Sequence, residues 1–207
     1  MLARKVGAME RLNALADRMW EAKERQAAKR ERFHGLQERK PWQATVATSH
    51  NLFPTPPDIV ARMLATAGLE PGMSVLEPSC GTGRILSALS DAYAVDAVEI
   101  HPALANDCRR RFPFTTVYEA DFLKWMGGTY DRILMNPPFE RGLDCQHIAH
   151  ALTMLRKGGV LVGLCYDGAT QAKRLMPICT TWEVLPSNSF KSEGTSAGVV
   201  LITIKST

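Results

Sequence analysis

No C-x-x-C pair occurs in this sequence, and its five cysteines, at 80, 108, 145, 165 and 179, are odd in number. Neither a disulfide framework nor a thiolate zinc site is indicated. The cysteines read as thiols, mostly buried, with Cys80 as a small apolar filler. Long apolar runs are also missing: none reaches the length that spans a bilayer, and the opening MLARKVGAMERLNALADRMW lacks the apolar core of a secretory signal. A cytoplasmic protein with no membrane partner is expected. Internal repeats, low-complexity tracts and a Gly-Lys-Ser/Thr phosphate loop are absent as well.

What is present suits one ordinary globular domain with an appendage: 207 residues, 45% hydrophobic and 22% charged. Charge divides the chain unevenly. Residues 1–40 carry eleven Lys/Arg and six Asp/Glu, a net of +5, while the remaining 167 residues have a net of −1. That basic arm, MERLNALADRMWEAKERQAAKRERFHGLQERK at its heart, has no proline before Pro41 and spaces Leu12, Leu15, Met19 and Ala22 as one helical stripe. A long helix is expected over it. Its charged second half fits a solvated face with paired neighbours and equally a surface that meets phosphates.

Residues 41–207 form the expected second unit. It begins irregularly and turns helical at TPPDIVARML, with Thr55 placed as N-cap, Pro56 as first helical residue and Asp58 three beyond the cap. Strands are expected near 73–77, 94–99, 115–119, 130–135, 159–165, 181–186 and 198–205, and helices near 83–91, 102–111, 143–156 and 168–176. Strand followed by helix, repeated, predicts an α/β fold with a doubly wound, mostly parallel sheet of seven strands.

The ends of the first four strands carry the chemistry. The first runs into EPSCGTG, where Gly81 and Gly83 permit a sharp turn and close approach of a ligand, with Glu77 and Pro78 before them. The second ends AVEIHP, placing Glu99 sixteen residues after Gly83, where an acid commonly grips ribose hydroxyls. Asp121 and Phe122 follow the third strand. The fourth stops on Asn136, Pro137, Pro138 and Phe139, which reads either as a plain turn ending the strand or as a stiff shelf holding an amide at one end and an aromatic ring at the other.

These motifs, in this order, resemble class I S-adenosylmethionine-dependent methyltransferases, and among them the NPPF-type amino methyltransferases that modify adenine N6. The resemblance covers roughly residues 50–205. It rests on NLFPTPPDIVARM, VLEPSCGTG, VEI, ADF, NPPF and the tail LPSNSFKSEGTSAGVVLITI. It implies a Rossmann-like methyltransferase domain using S-adenosylmethionine and releasing S-adenosylhomocysteine. Thr55, Glu77, Pro78, Gly81 and Gly83 would surround the methionine end. Glu99 and Ile100 would meet the ribose, and Asp121 and Phe122 the adenine. Asn136, Pro137, Pro138 and Phe139 would be catalytic, with Phe139 and Phe190 stacking on the target base.

The expected substrate is adenine in DNA, with RNA as the alternative polymer. The same shelf also serves guanine N2 in RNA and glutamine in protein, because all three acceptors are planar NH₂ groups, and a non-catalytic cofactor-binding subunit is a further reading. Sequence-specific adenine methyltransferases usually carry a separate recognition region, and none is expected after residue 205. Recognition is therefore expected in the arm, in the loop 139–146, or in a specificity subunit or second copy held through the N-terminal helix. No metal is expected. His101, Asp144 and His147 read as capping or helix-surface groups, since this chemistry needs no strong base.

Overall fold

The strand ends can converge on one cleft only if the strands lie parallel and adjacent, and the computed structural model, which describes residues 53–206, has them so. The expected arm at 1–40 and the irregular stretch up to residue 52 lie outside the described residues. In chain order the elements are α1 (Pro57–Ala67), β1 (Ser74–Pro78), β2 (Ala94–Glu99), α2 (Pro102–Arg111), β3 (Thr115–Glu119), β4 (Tyr130–Met135), α3 (Leu143–Leu152), β5 (Leu155–Tyr166), α4 (Ala169–Leu175), β6 (Thr181–Val184) and β7 (Val199–Lys205). The sheet order is β3-β2-β1-β4-β5-β7-β6. All neighbours from β3 to β5 are parallel, and β7 runs antiparallel to both β5 and β6.

Alternation along each strand sends neighbouring side chains into two separate cores. Val75, Ala97, Leu134 and Val162 pack with Ile59 and Met63 of α1 and Ala105 and Cys108 of α2. Leu76, Val98, Ile133 and Leu161 pack with Ile148 of α3 and Leu175 of α4. Both faces are covered, which is why these strands read as nearly continuous apolar runs. The order reverses between β1 and β4, and a cleft opens at the carboxyl ends of strands at such a switch point.

Three expected details are different. The helix near 83–91 is only a 3₁₀ turn, Leu86–Ala88, after a series of tight turns. There the Ser87 hydroxyl donates to Arg84 O at 2.7 Å and Ser90 Oγ accepts from Ala92 N–H, local bonds that compete with helix. Helix α3 stops at Leu152 rather than 156, because Leu155 already pairs with Tyr130 and the register shifts before Arg132 meets Val160. Thr55 does not cap α1. Pro56 is the N-cap residue, at φ −56°, ψ 145°, and the helix starts at Pro57. A residue before proline is pushed out of the helical region, so Pro57 drives Pro56 extended and moves the start by one.

Candidate active site

A cleft of about 550 Å³ lies at the carboxyl ends of β1 to β4. Thr55, Glu77, Gly81, Glu99, Ile100 and Asp121 line it, as do Phe122, Asn136, Pro137, Pro138 and Phe139. Three expected residues are not on this wall. Pro78 ends β1 behind it. Gly83, at φ +72°, faces away: a Cβ there would come within 2.4 Å of Phe112 Cε2, so this glycine lets the turn pack on the end of α2. Phe190 is 1% exposed and belongs to a core, and its ring borders a smaller cavity of about 270 Å³ shared with Phe53, Phe139 and Tyr166.

Asn136 is held by its nitrogen. Nδ2 donates to Phe53 O at 3.0 Å and to Thr55 Oγ1 at 3.1 Å. A backbone carbonyl can only accept, so the amide orientation is settled by its partner. Both N–H bonds face α1's lead-in, and Oδ1 is left as an acceptor in the cleft wall. Thr55, 2% exposed, thus serves the shelf rather than the helix.

Around the glycine turn the carboxylates divide into engaged and unengaged groups. Glu99 accepts from Gly81 N–H at 2.7 Å and from His101 N–H at 2.8 Å, tying the end of β2 to the loop after β1. Asp121 accepts from Leu123 N–H at 3.1 Å and pairs with Lys124 at 3.0 Å, and that ammonium holds its carboxyl below the ordinary range. Glu77 is different. It is 2% exposed and its Oε2 has no hydrogen-bond partner, and burial, ahead of its charged neighbours, pushes its carboxyl well above the usual range. A buried acceptor left unsatisfied on a cavity wall is costly unless a ligand's donors complete it.

The cleft also uses residues that sequence reading set aside. His147 is only 7% exposed and lines the wall instead of the helix surface, with Nδ1 3.3 Å from Ser79 Oγ. Burial lowers its tendency to protonate. Its separation of 68 residues from Ser79 leaves no local signal, although its i, i+3 spacing from Asp144 was visible. Asp144 is wholly buried and structural: it accepts from Tyr166 N–H at 3.0 Å and from Gln171 Nε2 at 3.0 Å, joining α3, β5 and α4. Cys80 lies on the wall with its sulfur 3.9 Å from that of Cys108, and bonding to Cys108 together with burial raises its thiol pKa, so it is a neutral filler.

These residues fit S-adenosylmethionine on the structure's own terms. An unsatisfied buried carboxyl oxygen suits an ammonium, the Gly81 turn at φ +54° brings backbone close, and a cleft of about 550 Å³ with polar and apolar lining has room for a nucleoside with an amino-acid tail.

Comparisons with known proteins agree with this architecture. The chain is 38% identical over 74 residues to Modification methylase CviBIII of Paramecium bursaria Chlorella virus NC1A, covering 33% of this chain and 20% of that one. It is 40% identical over 90 residues to Type II methyltransferase M.TthHB8I of Thermus thermophilus, covering 41% of this chain and 20% of that one. The chain therefore spans about a fifth of the length of these curated relatives. In fold it is similar to the type I restriction-modification system methyltransferase subunit from Streptococcus thermophilus, with a TM-score of 0.63 at 19% identity, over 75% of this chain and 45% of that one. That likeness shows a methyltransferase fold. The model of the methyltransferase small domain matches residues 44–188, from before α1 to the loop that leads to Phe190, and the chain belongs to that family.

Proposed function

We propose that this chain transfers a methyl group from S-adenosylmethionine to the exocyclic N6 amine of adenine in DNA. The observation that carries the reading is the Asn136 amide, whose two N–H bonds are spent on Phe53 O and Thr55 Oγ1 so that its oxygen alone is offered to the cleft. An amine conjugated to a purine ring is a poor nucleophile. Asn136 Oδ1 and the Pro137 carbonyl accept its two N–H bonds and favour the pyramidal form that attacks. The same fixed dipoles stabilise the positive charge that grows on nitrogen, an interaction stronger in the transition state than before it, and the surplus proton is then lost from that nitrogen to water. Pro137 and Pro138 hold those dipoles stiff, and Phe139 stacks on the base.

S-adenosylmethionine supplies, when bound, the electrophilic methyl group. Glu77 would accept from its ammonium group, Glu99 from its ribose hydroxyls through lone pairs not used by Gly81 and His101, and Asp121 from its adenine amine. Phe122 and the exposed Ile100 would flank the ring. Alignment is then the protein's contribution, and no covalent enzyme intermediate is needed.

Support for a nucleic-acid acceptor comes from two sides. Two curated relatives are named as a modification methylase and a type II methyltransferase, and the arm at 1–40 holds the whole basic excess. Target recognition would come from that arm, from the segment 139–142 and the first turn of α3 that follows it, or from a specificity subunit or second copy. The test is transfer of labelled methyl from S-adenosylmethionine to duplex DNA, single-stranded DNA, RNA and a protein extract, followed by identification of the modified residue. Label in N6-methyladenine of DNA is expected. Label in guanine or glutamine would replace the acceptor, and binding of cofactor without transfer to any polymer would favour a scaffold subunit.

A further inference from the structure

His147 reaches the cleft from α3, the helix that begins four residues after Phe139. One of its nitrogens is spoken for: Nδ1 lies 3.3 Å from Ser79 Oγ. Ser79 has φ +58°, a left-handed conformation that non-glycine residues adopt only when their surroundings hold them there. The tie to His147 is a restraint of that kind, joining the loop after β1 to the helix after the catalytic shelf. Phe122 packs on the imidazole, ring centres 5.4 Å apart, and so fixes its plane.

The other nitrogen, Nε2, has no partner among the described residues, although the ring lines the same wall as Asp121 and Ile100. Charged neighbours of the imidazole are Asp121 from the loop after β3 and Asp144 and His150 from its own helix, and of these Asp144 is already bonded to Tyr166 and Gln171. A buried, neutral imidazole with one nitrogen anchored and one open is suited to an uncharged planar ligand group with hydrogen-bonding edges.

We propose that His147 is a positioning residue for the cofactor, fixing the loop after β1 through Ser79 and lending Nε2 to the adenosine end of the bound molecule. The inference rests on the reading that this cleft holds S-adenosylmethionine. It gives α3 two tasks, carrying one wall of the cofactor site and following directly from the shelf that receives the base.

Calorimetric titration tests it without any methyl acceptor. The probes are S-adenosylhomocysteine and 5′-methylthioadenosine, which keeps the adenosine and lacks the amino-acid tail. His147→Leu preserves packing on Phe122 and removes bonding, whereas His147→Gln keeps an amide able to bond Ser79. The expected result is that His147→Leu weakens both probes by about 10-fold and His147→Gln recovers most of the loss. Adding Ser79→Ala to His147→Leu should then cost less than Ser79→Ala alone costs the wild type. Equal affinities in wild type and His147→Leu would overturn the proposal, as would a loss confined to S-adenosylhomocysteine, which would put His147 at the tail. Wild-type protein that binds neither probe would overturn the cofactor reading itself, and this inference with it.

Discussion

At the amino end of the sheet Asp131 has every oxygen engaged, while at the carboxyl end, on the neighbouring strand, Glu77 keeps one oxygen with no partner. Asp131 accepts from Ser74 N–H at 2.9 Å and Ser74 Oγ at 2.7 Å and pairs with Arg156 at 2.8 Å. Arg132, beside it, donates to the carbonyls of Ala67 and Gly68 at the end of α1. The carboxyl end has instead a strained Ser79, a left-handed Arg141 at φ +50° beside the shelf, and an Asn136 whose oxygen faces a cavity. Both ends are built from the same β1 and β4. One end closes its hydrogen bonds inside the protein and stabilises the sheet; the other leaves Glu77 Oε2 without a partner, which on the proposed reading is an acceptor kept for a ligand, as sites that trade stability for function do.

The contrast breaks first at Glu77. Glu77→Gln should weaken S-adenosylhomocysteine by about 10- to 100-fold, the cost of a charge-assisted hydrogen bond, while the ligand-free melting temperature stays within a few degrees of wild type. A large fall in melting temperature with binding intact would make Glu77 a scaffold group like Asp131. Gly83 sharpens the comparison from inside the cleft's own loop, because it serves the scaffold. Gly83→Ala, forced to φ +72° with its methyl against Phe112, should cost about 2–3 kcal/mol in denaturant unfolding. A neutral result would show that Phe112 yields.

Asp131→Asn should have the smallest effect, a loss of about 1–2 kcal/mol with cofactor affinity unchanged. Its pH signature runs opposite to that of Glu77. The hydrogen bond from Ser74 N–H, more than the other influences, holds the Asp131 carboxyl at about 2, against an ordinary 3.8. Its contribution is therefore present above 3.8 and lost as pH falls toward 2. Glu77, raised above an ordinary 4.5, binds its proton more tightly when folded, so its contribution is present below 4.5 and lost as pH rises through its folded value. Unfolding followed across pH in the two variants should remove one slope each.

The sheet was legible because its central strands are apolar on both sides and its helices are not, and all seven strands lie within a few residues of where they were expected, with β5 starting earlier. The position of the shelf was legible too: Asn-Pro-Pro-Phe follows β4 directly, and all four residues line the cleft. What the sequence hid depends on pairs distant in the chain. Thr55 has the spacing of a helix cap and holds Asn136, 81 residues away, because Pro57 displaces the helix start. Gly81 and Gly83 look alike in sequence, both have positive φ, and only the fold turns one to the cleft and the other to Phe112. His147 looked like a surface histidine because nothing within its own helix announces Ser79.

The central claim is that the amide oxygen of Asn136 acts on the reacting amine while its nitrogen holds the shelf. Single-turnover methyl transfer to DNA by wild type and Asn136→Ala, at cofactor concentrations that saturate both, tests it most directly. The account predicts a fall of about 10²–10³ in the transfer rate, with S-adenosylhomocysteine affinity nearly unchanged and N6-methyladenine as the wild-type product. Transfer by Asn136→Ala at the wild-type rate would contradict it.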